Sequence, residues 1–187
     1  MRFVARLIQQ NLRAKVFLPL LMLALATTWY GLFYSVDKFA GMTNGLSLMD
    51  MQPLLTVDQL FAQISTYNDA TVEFYLGWSL FDYAWPFITY TTMLFISAWL
   101  LTFAAAAWQQ RFWVFIGSAY TTVVFDWAEN VGFVALISGL PAQPVWLAQL
   151  TIALHQGKLV FNMIFNVLFC ALLLVLLVSA IRARIKT

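Results

Sequence analysis

Apolar residues fill this chain in four long stretches, and the charged residues mark where each stretch stops. No Asp, Glu, Lys or Arg occurs from Val16 to Val36, from Tyr83 to Gln110, or from Leu159 to Ile181. A fourth apolar stretch follows Arg111 and is broken only by Asp126 and Glu129. A helix rises 1.5 Å per residue, so about 20 apolar residues cross the ~30 Å hydrocarbon core of a bilayer. The pattern predicts an all-α polytopic membrane protein, a single membrane domain over 1–187 folded as a four-transmembrane-helix bundle. The spans are expected at about 16–35, 86–108, 113–139 and 159–181. Gly139 and Pro141 suit the end of the third, and the small residues Ala98, Thr102 and Ala106 space a close-approach face at the end of the second.

The connections differ in character. The loop over 36–85 is long and contains a turn region at Gly41, Asn44 and Gly45. Within it, Leu55-Thr56-Val57-Asp58-Gln59-Leu60 reads as a helix start, with Thr56 as N-cap, Gln59 closing a capping box, and Leu55 and Leu60 as a hydrophobic staple. Leu60, Phe61, Ile64 and Tyr67 recur at helical spacing, so a short amphipathic helix is expected over about 57–68, capping the bundle or docking a partner. Ala70 to Phe81 is expected to extend the second span, with Pro86 freeing the carbonyl of Asp82. Residues 140–157 are expected as a second loop on the same side.

Charge sets the orientation. The net charge is +2, too little to argue for nucleic acid. Arg2, Arg6, Arg13, Lys15, Arg111, Arg182, Arg184 and Lys186 fall on one side of the predicted bundle, and only Lys38 and Lys158 on the other. The positive-inside rule places both termini and the 109–112 turn in the cytoplasm, in the inner membrane if the source is bacterial. The basic N-terminus followed by an apolar run looks like a secretory signal, but the run is too long, and an uncleaved first span is expected. Only 10% of residues are charged and 63% are hydrophobic, against about 25% charged in soluble domains. A lone Cys170 forms no intrachain disulfide.

Against this background the segment Phe125-Asp126-Trp127-Ala128-Glu129-Asn130 stands out. A charged side chain at mid-membrane costs roughly 2.5–3.5 kcal/mol on insertion scales. Residues three and four apart share a helix face, so Asp126, Glu129 and Asn130 point one way, with Ser118 and Thr122 below them. Such a stripe faces the bundle interior or a cavity. Two acids one turn apart repel as anions. The pair is therefore expected to share a proton, and it can act as acid and base, bind a cation or pass a proton. Counting depth along the spans brings Tyr90, Asn166 and Glu129 to one level, with Asn162 adjacent and Asp82, His155 and Lys158 nearer the outer mouth. These nine residues are the candidate ligand- or proton-binding set. The competing reading for the acids and for Asn162 and Asn166 is interhelical hydrogen bonding alone. No zinc spacing, phosphate loop or nucleophile elbow is present, so no metal, no cofactor and no catalytic residue is assigned.

The order of the helix start at Leu55, then Asp82, Pro86 and Tyr90, then Asp126-x-x-Glu129-Asn130, and finally Lys158 resembles a group of uncharacterised small four-helix integral membrane proteins, over about residues 54–165. The resemblance implies four spans and carries no activity. Three functions fit these features. One is a membrane protein with a buried carboxylate and amide site for a small ligand or proton, functioning in binding or transport as a homo-oligomer. The second is an accessory subunit of a larger membrane complex, and the third a membrane-embedded enzyme acting on a lipid. In all three the lipid bilayer is the immediate partner.

Overall fold

The computed structural model describes Ile8 and residues 14–185, and among these every regular element is helical. Helix α1 (Ala14–Trp29) runs through a π-helical segment, Tyr30–Ser35, into α2 (Val36–Met42). A loop with one 3-10 turn, Met49–Met51, leads to α3 (Val57–Ile64). Then come α4 (Asp69–Leu101), the single turn α5 (Ala106–Gln109), α6 (Phe112–Ser138) and α7 (Val145–Ile185).

Among the described residues, three helical stretches are long and apolar enough to cross a membrane: Lys15–Met42, Asp69–Leu101 and Val145–Ile185. Helix α6 has 27 residues, about 40 Å of helix, but Asp126, Glu129 and Asn130 lower its hydropathy. It is also the most enclosed of the long helices, because it packs most extensively on α7 and next on α4. α1 lies against α4. Trp85 Nε1 donates to Thr28 Oγ1 at 3.1 Å across that contact. Gly31 lets the helices approach there, since a Cβ would stand 3.3 Å from the Phe81 ring.

Several helix limits differ from those expected. Helical structure in the first segment continues to Met42, past Asp37 and Lys38. The second long helix stops at Leu101, so Thr102 lies in a turn and Ala106 in a separate helix. Ala98, Thr102 and Ala106 therefore do not form one continuous face, and only Ala98 of the three is buried. The largest correction concerns 140–157. Helix α7 begins at Val145, directly after Pro144, and only a short turn separates it from α6. Pro144 suits the entry to a helix, and the residues that follow contain no breaker until Gly157. Arg2, Arg6, Arg13 and Lys186, which contribute to the expected orientation, lie outside the described residues.

The short helix near residue 57 forms with the expected start. Thr56 Oγ1 accepts from Gln59 N at 3.2 Å, and Thr56 N donates to Gln59 Oε1 at 3.0 Å. It ends at Ile64, so Tyr67 lies beyond it. Leu55, Leu60, Phe61 and Ile64 are buried together with Phe39, Tyr75, Phe133 and Leu136 in one apolar cluster. A second cluster, around Leu94, Phe95, Phe115, Phe165 and Leu172, occupies the other end of the bundle. Between the two lies a polar layer.

Candidate functional site

The polar layer is built from α4, α6, α7 and the loop that precedes α3. Asp126, Glu129 and Asn130 are buried on one face of α6, as their spacing requires. Opposite them α7 contributes His155 and Lys158, three residues apart. Lys158 Nζ contacts Asp126 Oδ1 at 3.1 Å and bonds Glu129 Oε1. It also donates to the backbone carbonyl of Asp50 at 3.2 Å. The two acids are thus compensated by one shared ammonium. Lys158 and His155 do not lie above Glu129 near the mouth. They lie beside it, because α7 is already helical when it reaches them.

His155 is fully buried, and so is Glu129. Its Nε2 lies 2.8 Å from the carbonyl of Gln52, and its Nδ1 lies 2.8 Å from Glu129 Oε2. A carbonyl only accepts, so Nε2 carries a hydrogen. Nδ1 and Oε2 therefore hold one proton between them, whichever atom is its formal owner. The chain of groups ends at the Gln52 carbonyl, which cannot pass a proton onward. Gln52 is itself fixed, its side chain donating to Gln63 Oε1 at 2.8 Å and to Ser47 O at 2.9 Å. Gln63 Nε2 donates to the Tyr67 hydroxyl at 2.8 Å, and burial pushes the Tyr67 phenol up to about 12.

On the α4 side, Asn130 Nδ2 donates to Asp82 Oδ2 at 2.8 Å and reaches Asp126 Oδ2 at 3.4 Å. Tyr90 donates to Asn162 Oδ1 at 2.7 Å, and Asn166 Nδ2 donates to the same oxygen at 2.7 Å. This Tyr90–Asn162–Asn166 group is separate from Glu129, contrary to the expectation that Tyr90, Asn166 and Glu129 meet.

A cavity of about 530 Å³ opens between α4 and α7, in front of α6. Asp82, Tyr90, Asp126, Lys158, Asn162 and Asn166 line it, whereas Glu129, Asn130 and His155 stand behind its wall. Leu32, Met51, Trp85, Pro86, Met93, Leu159 and Phe165 give it an apolar surface. Pro86 lies within α4, which continues as helix through it. Among the described residues no cluster of three His, Cys, Asp or Glu side chains is arranged to hold a metal ion.

A cavity acid outside the nine candidates is Asp50, which is buried. Its Oδ1 and the Trp78 Nε1 each end without a hydrogen bond, although the indole is near enough to favour the carboxylate. Burial raises the Asp50 carboxyl above the usual range, against the pull of Lys158. The available signal was the apolar Leu46–Met51 run, in which Leu48 and Met49 become fully buried and carry Asp50 inward with them.

The α6–α7 contact depends on glycine. A Cβ on Gly132 would stand 2.1 Å from Thr151 Oγ1 and 2.9 Å from Thr151 Cβ. A Cβ on Gly157 would meet the Phe125 ring at 2.6 Å. These approaches flank the Glu129–His155–Lys158 contact and set its distance. No protein-family model, curated protein or solved structure matches this chain.

Proposed function

We propose that the chain is an integral membrane protein with a buried carboxylate and amide site that binds a small ligand, for capture or transport. α1, α4, α6 and α7 are its four spans. Lys15, Arg111, Arg182 and Arg184 lie at the ends expected in the cytoplasm, which supports placing both termini there. The loop from 43 to 56 and helix α3 then cover the outer end of the polar layer.

The observation that carries the reading is the 530 Å³ cavity whose wall contains Asp50, Asp82, Asp126 and Lys158. Ligand pockets commonly measure about 300–1,000 Å³ and combine apolar walls with a few convergent polar groups. Acids used only for interhelical bonding need no such space. A ligand fits better than a conducted proton, because the Glu129–His155 pair leads to a carbonyl and stops.

Native mass spectrometry of the protein released from its own membrane into mild detergent tests this, with Asp126→Asn measured beside it. The expected outcome is a lone chain or homo-oligomer carrying a small molecule that Asp126→Asn loses. Recovery of empty protein in every preparation would overturn the ligand-site reading. Stoichiometric large partners with no small molecule would favour the accessory-subunit role.

A further inference from the structure

We infer that the ligand of this cavity is an organic cation, a protonated amine carried on an apolar or aromatic body. The inference rests on the ligand-site reading above and assigns that site its ligand class.

Among the described residues, Lys158 is the only basic side chain on the cavity wall. An ammonium has three donors and no acceptor. Here it hydrogen-bonds Glu129 Oε1 and the Asp50 carbonyl and forms an ion pair with Asp126 Oδ1 at 3.1 Å. Its charge is already engaged by the protein's own acids, so the lysine neutralises them and does not serve as an anion receptor.

The groups left over are acceptors. Asp50 is 7% exposed, and its Oδ1 has no hydrogen-bond partner. That oxygen is enclosed beside the Trp78 indole, and a ligand N–H in the cavity meets the accessible edge of the same carboxyl. Asp82 accepts from Asn130 through Oδ2 alone. The Tyr90 hydroxyl gives its proton to Asn162 Oδ1, so toward the cavity it lines it can only accept. Composition agrees with this pattern. Among the described residues of the layer, the four acids Asp50, Asp82, Asp126 and Glu129 stand against the two bases Lys158 and His155.

The remaining surface decides between a bare ion and an organic one. The described residues offer no three-ligand metal cluster, and 530 Å³ far exceeds the needs of a single ion. Trp85, Met51, Met93 and Phe165 supply an aromatic and thioether wall. Such surfaces accept the apolar body of an amine, and an indole face adds a cation–π attraction.

The test uses three probes with one hydrophobic body: phenylbutylamine, phenylbutanol and phenylbutyrate. Full-length protein in nanodiscs of neutral phosphatidylcholine is titrated by calorimetry, with protein-free nanodiscs as the partition blank. The amine is expected to bind saturably and at least about tenfold tighter than the alcohol or the acid. Loss of a charge-assisted hydrogen bond in Asp50→Asn is expected to weaken the amine by roughly tenfold or more and leave the alcohol unchanged. If Asp50→Asn does not fold, the wild-type series and Asp126→Asn decide. Equal or tighter binding of the alcohol or the acid overturns the inference while the ligand-site reading stands. Failure of all three probes also overturns it, and native mass spectrometry then shows separately whether the cavity carries another class of molecule.

Discussion

The two faces of α7 are built in opposite ways. Toward α6 the helices close on each other through Gly132 and Gly157, with Thr151 and Phe125 filling the space a side chain would take. Toward α4 they stand apart, joined by the Tyr90–Asn162 hydrogen bond and separated by the cavity. Lys158 belongs to both faces: it ties α7 to the α6 acids and also lines the cavity. The contrast separates scaffold from site. The closed seam fixes where Glu129, His155 and Lys158 meet, and the open face leaves room for a guest.

The largest effect is expected where the faces meet. Lys158→Met leaves Asp126 and Glu129 buried without their ammonium, a loss of about 3–5 kcal/mol when one partner of a buried ion pair is removed. Thermal unfolding in detergent should show a large fall in Tm, and a Tm equal to wild type would mean that the acids do not depend on the lysine. Next comes the seam. Gly132→Ala forces a Cβ against Thr151 Cβ as well as Oγ1, which overpacking data put at about 1–3 kcal/mol. Gly157→Ala should cost less, because its nearest obstacle is an edge of the Phe125 ring at 2.6 Å rather than an atom at 2.1 Å. The reverse ranking of the two Tm values would remove Gly132 as the tighter contact.

A subtler effect is expected at Asp50. Its carboxyl is raised by burial from a usual value of 3.8. The unfolded chain therefore loses its proton first as pH rises. Between 3.8 and the higher folded value the folded state holds more protons, so stability falls with rising pH in that window. Asp50→Asn should flatten this part of a Tm-against-pH profile, and an unchanged slope would assign it to another group. The smallest change is Tyr90→Phe. It removes one hydrogen bond across the open face and should cost only about 0.5–1.5 kcal/mol. A larger loss would show that this face is as rigid as the seam.

Much of the fold was legible because membrane-length apolar runs and a capping box are local signals. The grouping of Asp126, Glu129 and Asn130 on one face was legible for the same reason, since helical periodicity fixes it. The partners were not. Lys158 pairs with these acids because α7 starts at Val145, and nothing in Trp146-Leu147-Ala148-Gln149 distinguishes an early helix from an amphipathic loop. Asp50 lies in a loop with no periodicity to give it a face, and the burial of Leu48 and Met49 carries it inward. The Gly132–Thr151 contact lies between two helices and has no periodicity in either.

The connector above the polar layer has a consequence for the order of folding. His155 and Glu129 are 26 residues apart and Lys158 and Glu129 are 29 apart, within one helical hairpin. The carbonyls of Gln52 and Asp50 that complete the same groups are 103 and 108 residues away. Closing a short loop loses less chain entropy than closing a long one. The α6–α7 hairpin thus neutralises its own acids as soon as it forms, and the connector docks onto a site that is already electrically balanced. Charge compensation is the early, local event of folding here, and sealing the layer is the late, long-range one.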